Sequence, residues 1–155
     1  MSDIGIDLTA NDATAKFAVG TVMSITDSGF TKTYKYVQVT DVAAQATVAG
    51  YACYYVKPAE DTTGGLVTTD FSQSDGIGAG ILQKAGMTES YYGWIQIKGV
   101  ATMTIALTAG ADGNALTAIG AGADGALDVS GAVTDAVCAY AIDASAKIIL
   151  CDFPY

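Results

Sequence analysis

One stretch of alternation constrains the fold of this chain more than any other feature. Between residues 95 and 107, the apolar side chains Ile95, Ile97, Ala101, Met103, Ile105 and Leu107 all fall on odd numbers. Gln96, Lys98, Thr102 and Thr104 lie opposite them. A period of two belongs to a strand with one buried face, not to a helix. Gly99 sits in phase, so the stretch is predicted either as one strand bent at Gly99 or as two strands meeting there at a bulge.

The rest of the chain supports the same class. Phe17, Val19, Met23 and Ile25 share a parity, Asp27-Ser28-Gly29 supplies turn chemistry, and residues 31–40 are rich in β-branched and aromatic side chains. Together they predict a β-hairpin. Residues 50–57 read as a strand stopped by Pro58, with further short strands near 66–69, 76–83, 115–119, 126–129, 136–142 and 147–153. Helix is compatible only with residues 41–49 and 133–139. The sequence Ala-Gly-Ala-Asp-Gly occurs at 109–113 and again at 121–125. Two loose copies cannot stack a calcium-binding solenoid, and they read as Asp-Gly turns. The expectation is an all-β fold, a small β-barrel or β-sandwich of about eight to ten short strands. Residues 1–15 form an extended N-terminal arm and residues 16–155 a single β domain.

Missing residue types narrow the chemistry. The 155 residues include no His and no Arg; all 7 basic residues are Lys. Without His there is no Ser–His or Cys–His nucleophile pair, no imidazole base and no His-containing zinc site. The 14 Asp and 2 Glu lie mostly in turns beside small residues, where they cap backbone, and no pair is marked out for acid–base work. Cys53, Cys138 and Cys151 form no Cys-x-x-Cys and read as buried free thiols. No enzyme, catalytic residue, cofactor or metal is expected. A net charge of −9 opposes binding to nucleic acid or to anionic membranes. Residues 1–7 have neither a basic region nor an apolar core, so synthesis in a cytoplasm is expected.

The aromatic residues suggest a surface. Trp94 shares its parity with Gln96 and Lys98, so an odd-numbered core face turns Trp94 outward, and Tyr34 and Tyr36 lie similarly opposite Val37 and Val39. With Tyr91 and Tyr92, such a cluster suits core or subunit packing, a protein-interface anchor or a sugar-stacking platform. The candidate partner contacts are Ile4, Ile6 and Leu8 in the arm, together with Tyr34, Tyr36, Tyr91, Tyr92 and Trp94.

Four pieces of sequence, in order, resemble the head decoration (capsid cement) proteins of tailed bacteriophages. Gly20-Thr21-Val22 leads through Ser28-Gly29 to Tyr36-Val37-Gln38, and an Ala-rich stretch follows. The most specific piece is Tyr92-Gly93-Trp94-Ile95-Gln96-Ile97-Lys98-Gly99. A Gly/Ala/Asp-rich stretch and a terminal Phe153-Pro154 complete the set. The resemblance implies a virion structural protein on the outer surface of the head, made in the bacterial host cytoplasm. It implies a homotrimer that binds the major capsid protein and bridges neighbouring capsid subunits after the shell expands. A carbohydrate-binding or adhesin module, or another minor head or tail component, is the alternative. On this reading, removing residues 1–15 leaves the β fold intact and weakens attachment.

Overall fold

The computed structural model describes residues 5–40, 46–59, 61 and 65–154. Ile4 and residues 41–45, part of the Ala-rich stretch, lie outside the described residues. Among the described residues ten strands follow one another: β1 (Val22–Asp27), β2 (Phe30–Val39), β3 (Ala52–Val56), β4 (Leu66–Thr68), β5 (Ser74–Leu82), β6 (Tyr92–Thr102), β7 (Ala115–Thr117), β8 (Asp128–Val129), β9 (Val137–Asp143) and β10 (Ile148–Asp152). A single 3-10 turn, Phe71–Gln73, separates β4 from β5. The region 133–139, compatible with helix by sequence, is a turn leading into β9. Among the described residues, no helix is long and apolar enough to cross a membrane.

The expected all-β architecture is realised as a barrel. The sheet order is β1-β2-β4-β3-β5-β6-β10-β9-β7-β8, and β2 also pairs with β6. That second pairing closes β2, β4, β3, β5 and β6 into a five-stranded barrel. Closure removes edges that an open sheet would leave unpaired. The two long strands serve both the barrel and the elements outside it. β2 pairs with β1 through Phe30–Lys35 and with β4 through Gln38 and Val39. β6 pairs with β5 at Ile95 and Gln96, then with β10 from Lys98 to Thr102.

Gly99 marks the place where β6 leaves the barrel. The strand is continuous, and Gly99 adopts φ +89°, a region open to glycine but strained for other residues. A Cβ there would lie 2.7 Å from the Thr31 carbonyl oxygen of β2. The β2–β6 register slips between Thr33 and Tyr34, close to the same point. The alternation across 95–107 therefore spans a bent strand and its exit loop.

The main core fills the barrel and continues beneath the β6-β10-β9-β7 extension. Val37, Val39, Tyr54, Ile95, Ile97, Leu116, Ile149 and Phe153 all belong to it. Both Asp-Gly turns hold backbone, as their chemistry suggests. Asp112 Oδ1 accepts from Ala144 N at 2.8 Å, and Asp124 Oδ1 accepts from Phe71 N at 2.8 Å. Each carboxylate thus ties its loop to a distant element. The Tyr54 hydroxyl reaches Ala126 O at 2.5 Å and fastens the second turn to the barrel.

The three cysteines are free and buried. Burial pushes the Cys138 and Cys151 thiols up to about 12 and raises Cys53 further. They pack as small apolar side chains and hold no thiolate near neutral pH.

Candidate functional site

Where β2 and β6 pair in the barrel, residues 34–39 and 92–97 are buried or half-buried on both faces, and the aromatic residues lie under cover. Val37, Val39, Ile95 and Ile97 face the main core. Tyr34, Tyr36 and Trp94 form a second cluster with Ala10 on the outer face. Ile6, Leu8, Phe17, Met23, Ile25 and Tyr92 pack against that cluster. Trp94 is only 1% exposed, so the expectation of an outward-facing tryptophan is corrected. Alternation alone leaves the even face of β6 open to solvent, whereas the N-terminal segment and β1 cover it. Phe17 meets Tyr36 edge-on at 5.3 Å and Trp94 at 5.4 Å, and Tyr36 stacks on Tyr92 at 6.0 Å. Tyr91 is half-buried in the turn just before β6 and belongs to neither cluster.

A polar clamp fixes the N-terminal segment onto this face. Asp12 N donates to Tyr92 O, and Tyr92 N donates to Asp12 O, both at 2.9 Å. Asp12 Oδ2 accepts from the Tyr36 hydroxyl at 2.9 Å, and Asp12 Oδ1 pairs with Lys16 Nζ at 2.6 Å. Burial pushes the Tyr36 phenol up to about 12, opposed by the Lys16 N–H and assisted by the bond to Asp12. The phenol therefore stays protonated and remains the donor. Asn11 and Thr88 exchange two further bonds. The described part of the arm is thus seated on the chain's own sheet.

Gly93 explains why a glycine precedes Trp94. A Cβ at this position would lie 2.8 Å from Met87 Cε and 3.1 Å from the Ala10 carbonyl oxygen. Met87 can move, but the Ala10 backbone is held beside the Asp12 clamp. Gly93→Ala is expected to cost about 1–3 kcal/mol by overpacking. Urea denaturation monitored by Trp94 fluorescence checks this, and an unchanged midpoint would contradict the close approach.

The exposed apolar surface lies elsewhere, at residues that the sequence reading did not single out. Val100 pairs with Leu150, and Leu150 with Tyr140, so the three form a row across β6, β10 and β9. All three side chains are exposed. Two residues along, on the same face, lie Thr102, Ile148 and Ile142. The Lys98–Asp152 ion pair closes one end of this face and Asp143 lies at the other. Phe30, at the tip of the β1–β2 hairpin, is 72% exposed. It lines a groove with Val100, Leu150, Ile25 and Tyr34, in which Asp27 and Lys32 also stand, so the row runs into the covered aromatic face. Strand β10 carried the sequence signal, because both of its parities are apolar: Ile149, Cys151 and Phe153 on one, Ile148 and Leu150 on the other. Such a strand has two faces to cover.

Among the described residues, no group of His, Cys, Asp or Glu is placed to hold a metal ion. Comparison with protein-family models, with curated proteins and with solved structures finds no match. The site is therefore defined by its surface chemistry. It is an apolar face on the β6-β10-β9 extension, bounded by charged side chains and suited to packing against another macromolecule.

Proposed function

We propose that this chain is a virion structural protein that docks on the outer surface of an expanded phage capsid and stabilises it by bridging neighbouring capsid subunits. The observation that carries the reading is the exposed, uncharged row Val100–Leu150–Tyr140 with Phe30 beside it, on a chain of net charge −9. Burying such a row releases apolar surface from water at about 25 cal/mol per Å². One face of this size holds a partner weakly. Many copies on one closed shell act together, because each bridge must break before the shell opens. The order of motifs around Tyr92-Gly93-Trp94 supports the same class. In this reading those motifs build the scaffold, with Gly93 and Trp94 seating the N-terminal segment, and the row performs the docking.

Leu150→Asp is the direct test. The side chain is exposed, so the fold is expected to survive with an unchanged circular dichroism spectrum. A carboxylate in the middle of the row is expected to lower affinity for expanded shells by about tenfold or more. Wild-type occupancy by a folded Leu150→Asp protein would remove the row from the mechanism.

A further inference from the structure

We infer that the outer edge of β1 pairs antiparallel with β1 of a second copy about a two-fold axis at Ser24. The inference goes beyond the shell-docking reading and does not depend on it. It concerns a different edge of the molecule and the free protein.

The hydrogen-bonding direction along β1 follows from its turn. Ser28 and Gly29 have φ of 51° and 84°, as in the two-residue hairpin turn that makes its flanking residues a hydrogen-bonded pair. Asp27 and Phe30 are that pair. Bonded and non-bonded pairs alternate along an antiparallel ladder. Ile25 and Met23 therefore bond to β2, whereas Val22, Ser24 and Thr26 direct their N–H and C=O groups away from it. The side chains agree: Ser24 Oγ lies 2.9 Å from Thr33 Oγ1, and Thr26 Oγ1 lies 2.8 Å from Thr31 Oγ1, across the closer non-bonded pairs. Among the described residues, β2 is the only strand that pairs with β1.

This edge lacks the devices that usually prevent strand addition. β1 contains no Lys and no Pro, and its register with β2 shows no bulge. No residue from Val19 to Thr26 is charged. A row of backbone donors and acceptors selects an extended polypeptide as its occupant. Self-complementarity identifies that polypeptide as β1 itself. With Ser24 on the axis, Val22 faces Thr26 of the second copy, and Met23 faces Ile25 of the second copy. The pairing joins two half-buried apolar faces and places no like charges opposite each other, despite the net charge of −9. Asp27 falls opposite Thr21 of the second copy. The interface is isologous, as a two-fold axis requires.

Ser24→Cys tests this. Ser24 is exposed and the three native thiols are buried, so a short bismaleimide reacts at position 24. The expected result is a covalent dimer, while Val133→Cys, on a fully exposed loop residue, stays monomeric under the same conditions. Ser24→Pro removes an outward N–H and leaves the β2 ladder intact. It is expected to abolish the dimer in sedimentation equilibrium with the circular dichroism unchanged. Equal cross-linking of the two cysteine variants, or a wild-type mass that stays monomeric at high concentration, would overturn the inference.

Discussion

Deleting residues 1–15 is expected to lower the unfolding free energy by about 3–5 kcal/mol, the scale of losing a large aromatic side chain from a core. It is also expected to shift the emission of the single tryptophan to the red. The segment carries Ile6, Leu8 and Ala10 over Tyr34, Tyr36 and Trp94. It also carries Asp12, which bonds the backbone of Tyr92 and the hydroxyl of Tyr36. Without it the indole meets water and the buried phenol loses its acceptor, a further cost for a polar group left half-covered. This differs from the picture of a dispensable arm that only fastens the protein to a partner. Asp12→Asn separates the two contributions, since it keeps Ile6, Leu8 and Ala10 and removes the charge. It is expected to cost less than the deletion and to leave the Trp94 emission in place. A truncated protein with wild-type stability and unshifted emission would mean that the outer aromatic face does not need its cover.

Stability is expected to fall steeply above about pH 9. Cys138 and Cys151 are held up to about 12 by burial, and burial raises Cys53, Tyr34 and Tyr54 as well. A group whose folded pKa is raised binds its proton more tightly in the native state. Below the unfolded thiol value both states are protonated and the contribution is fully present. Above it, the unfolded chain releases protons that the native state retains, so stability declines until the folded value is reached. Three thiols acting together remove about 4 kcal/mol per pH unit over that window. At that slope a stability of about 5 kcal/mol is exhausted a little over one unit above pH 9, and one of about 12 kcal/mol at about three units. Chemical denaturation between pH 7 and 11 measures the slope. Replacing one thiol, as in Cys138→Ala, is expected to flatten it by about a third, whatever the variant costs at neutral pH. A flat profile to pH 11 would mean that the thiols are not held in the core.

Local features of the fold were legible in the sequence, and long-range ones were not. The β1–β2 hairpin, the strand before Pro58 and the closing strands follow from turn residues and alternation, which are properties of neighbouring residues. Closure of the barrel rests on β2 meeting β6, more than 50 residues away in sequence, and no local pattern encodes that pairing. Trp94 shows the cost most clearly. Alternation places the odd residues of β6 in the core, but it does not say what lies over the even ones. Two signals bore on that question. Tyr34 and Tyr36 stand opposite Val37 and Val39, so both faces of β2 are apolar. Ile6, Leu8 and Ala10 alternate within the N-terminal arm. A strand that is apolar on both faces needs two covers, and an alternating segment elsewhere in the chain can supply the second. The exposed apolar row is illegible in the sequence for a related reason. Val100, Leu150 and Tyr140 become neighbours only when β6, β10 and β9 align.

The proposed docking of the apolar row on a shell is open to direct measurement. The most direct test of that proposal is to mix the purified chain with expanded shells assembled from a major capsid protein encoded beside it and to sediment them. The expected result is saturable co-sedimentation at a fixed ratio to capsid subunits, with Leu150→Asp left in the supernatant. Folded wild-type protein that stays in the supernatant at every concentration would contradict the claim.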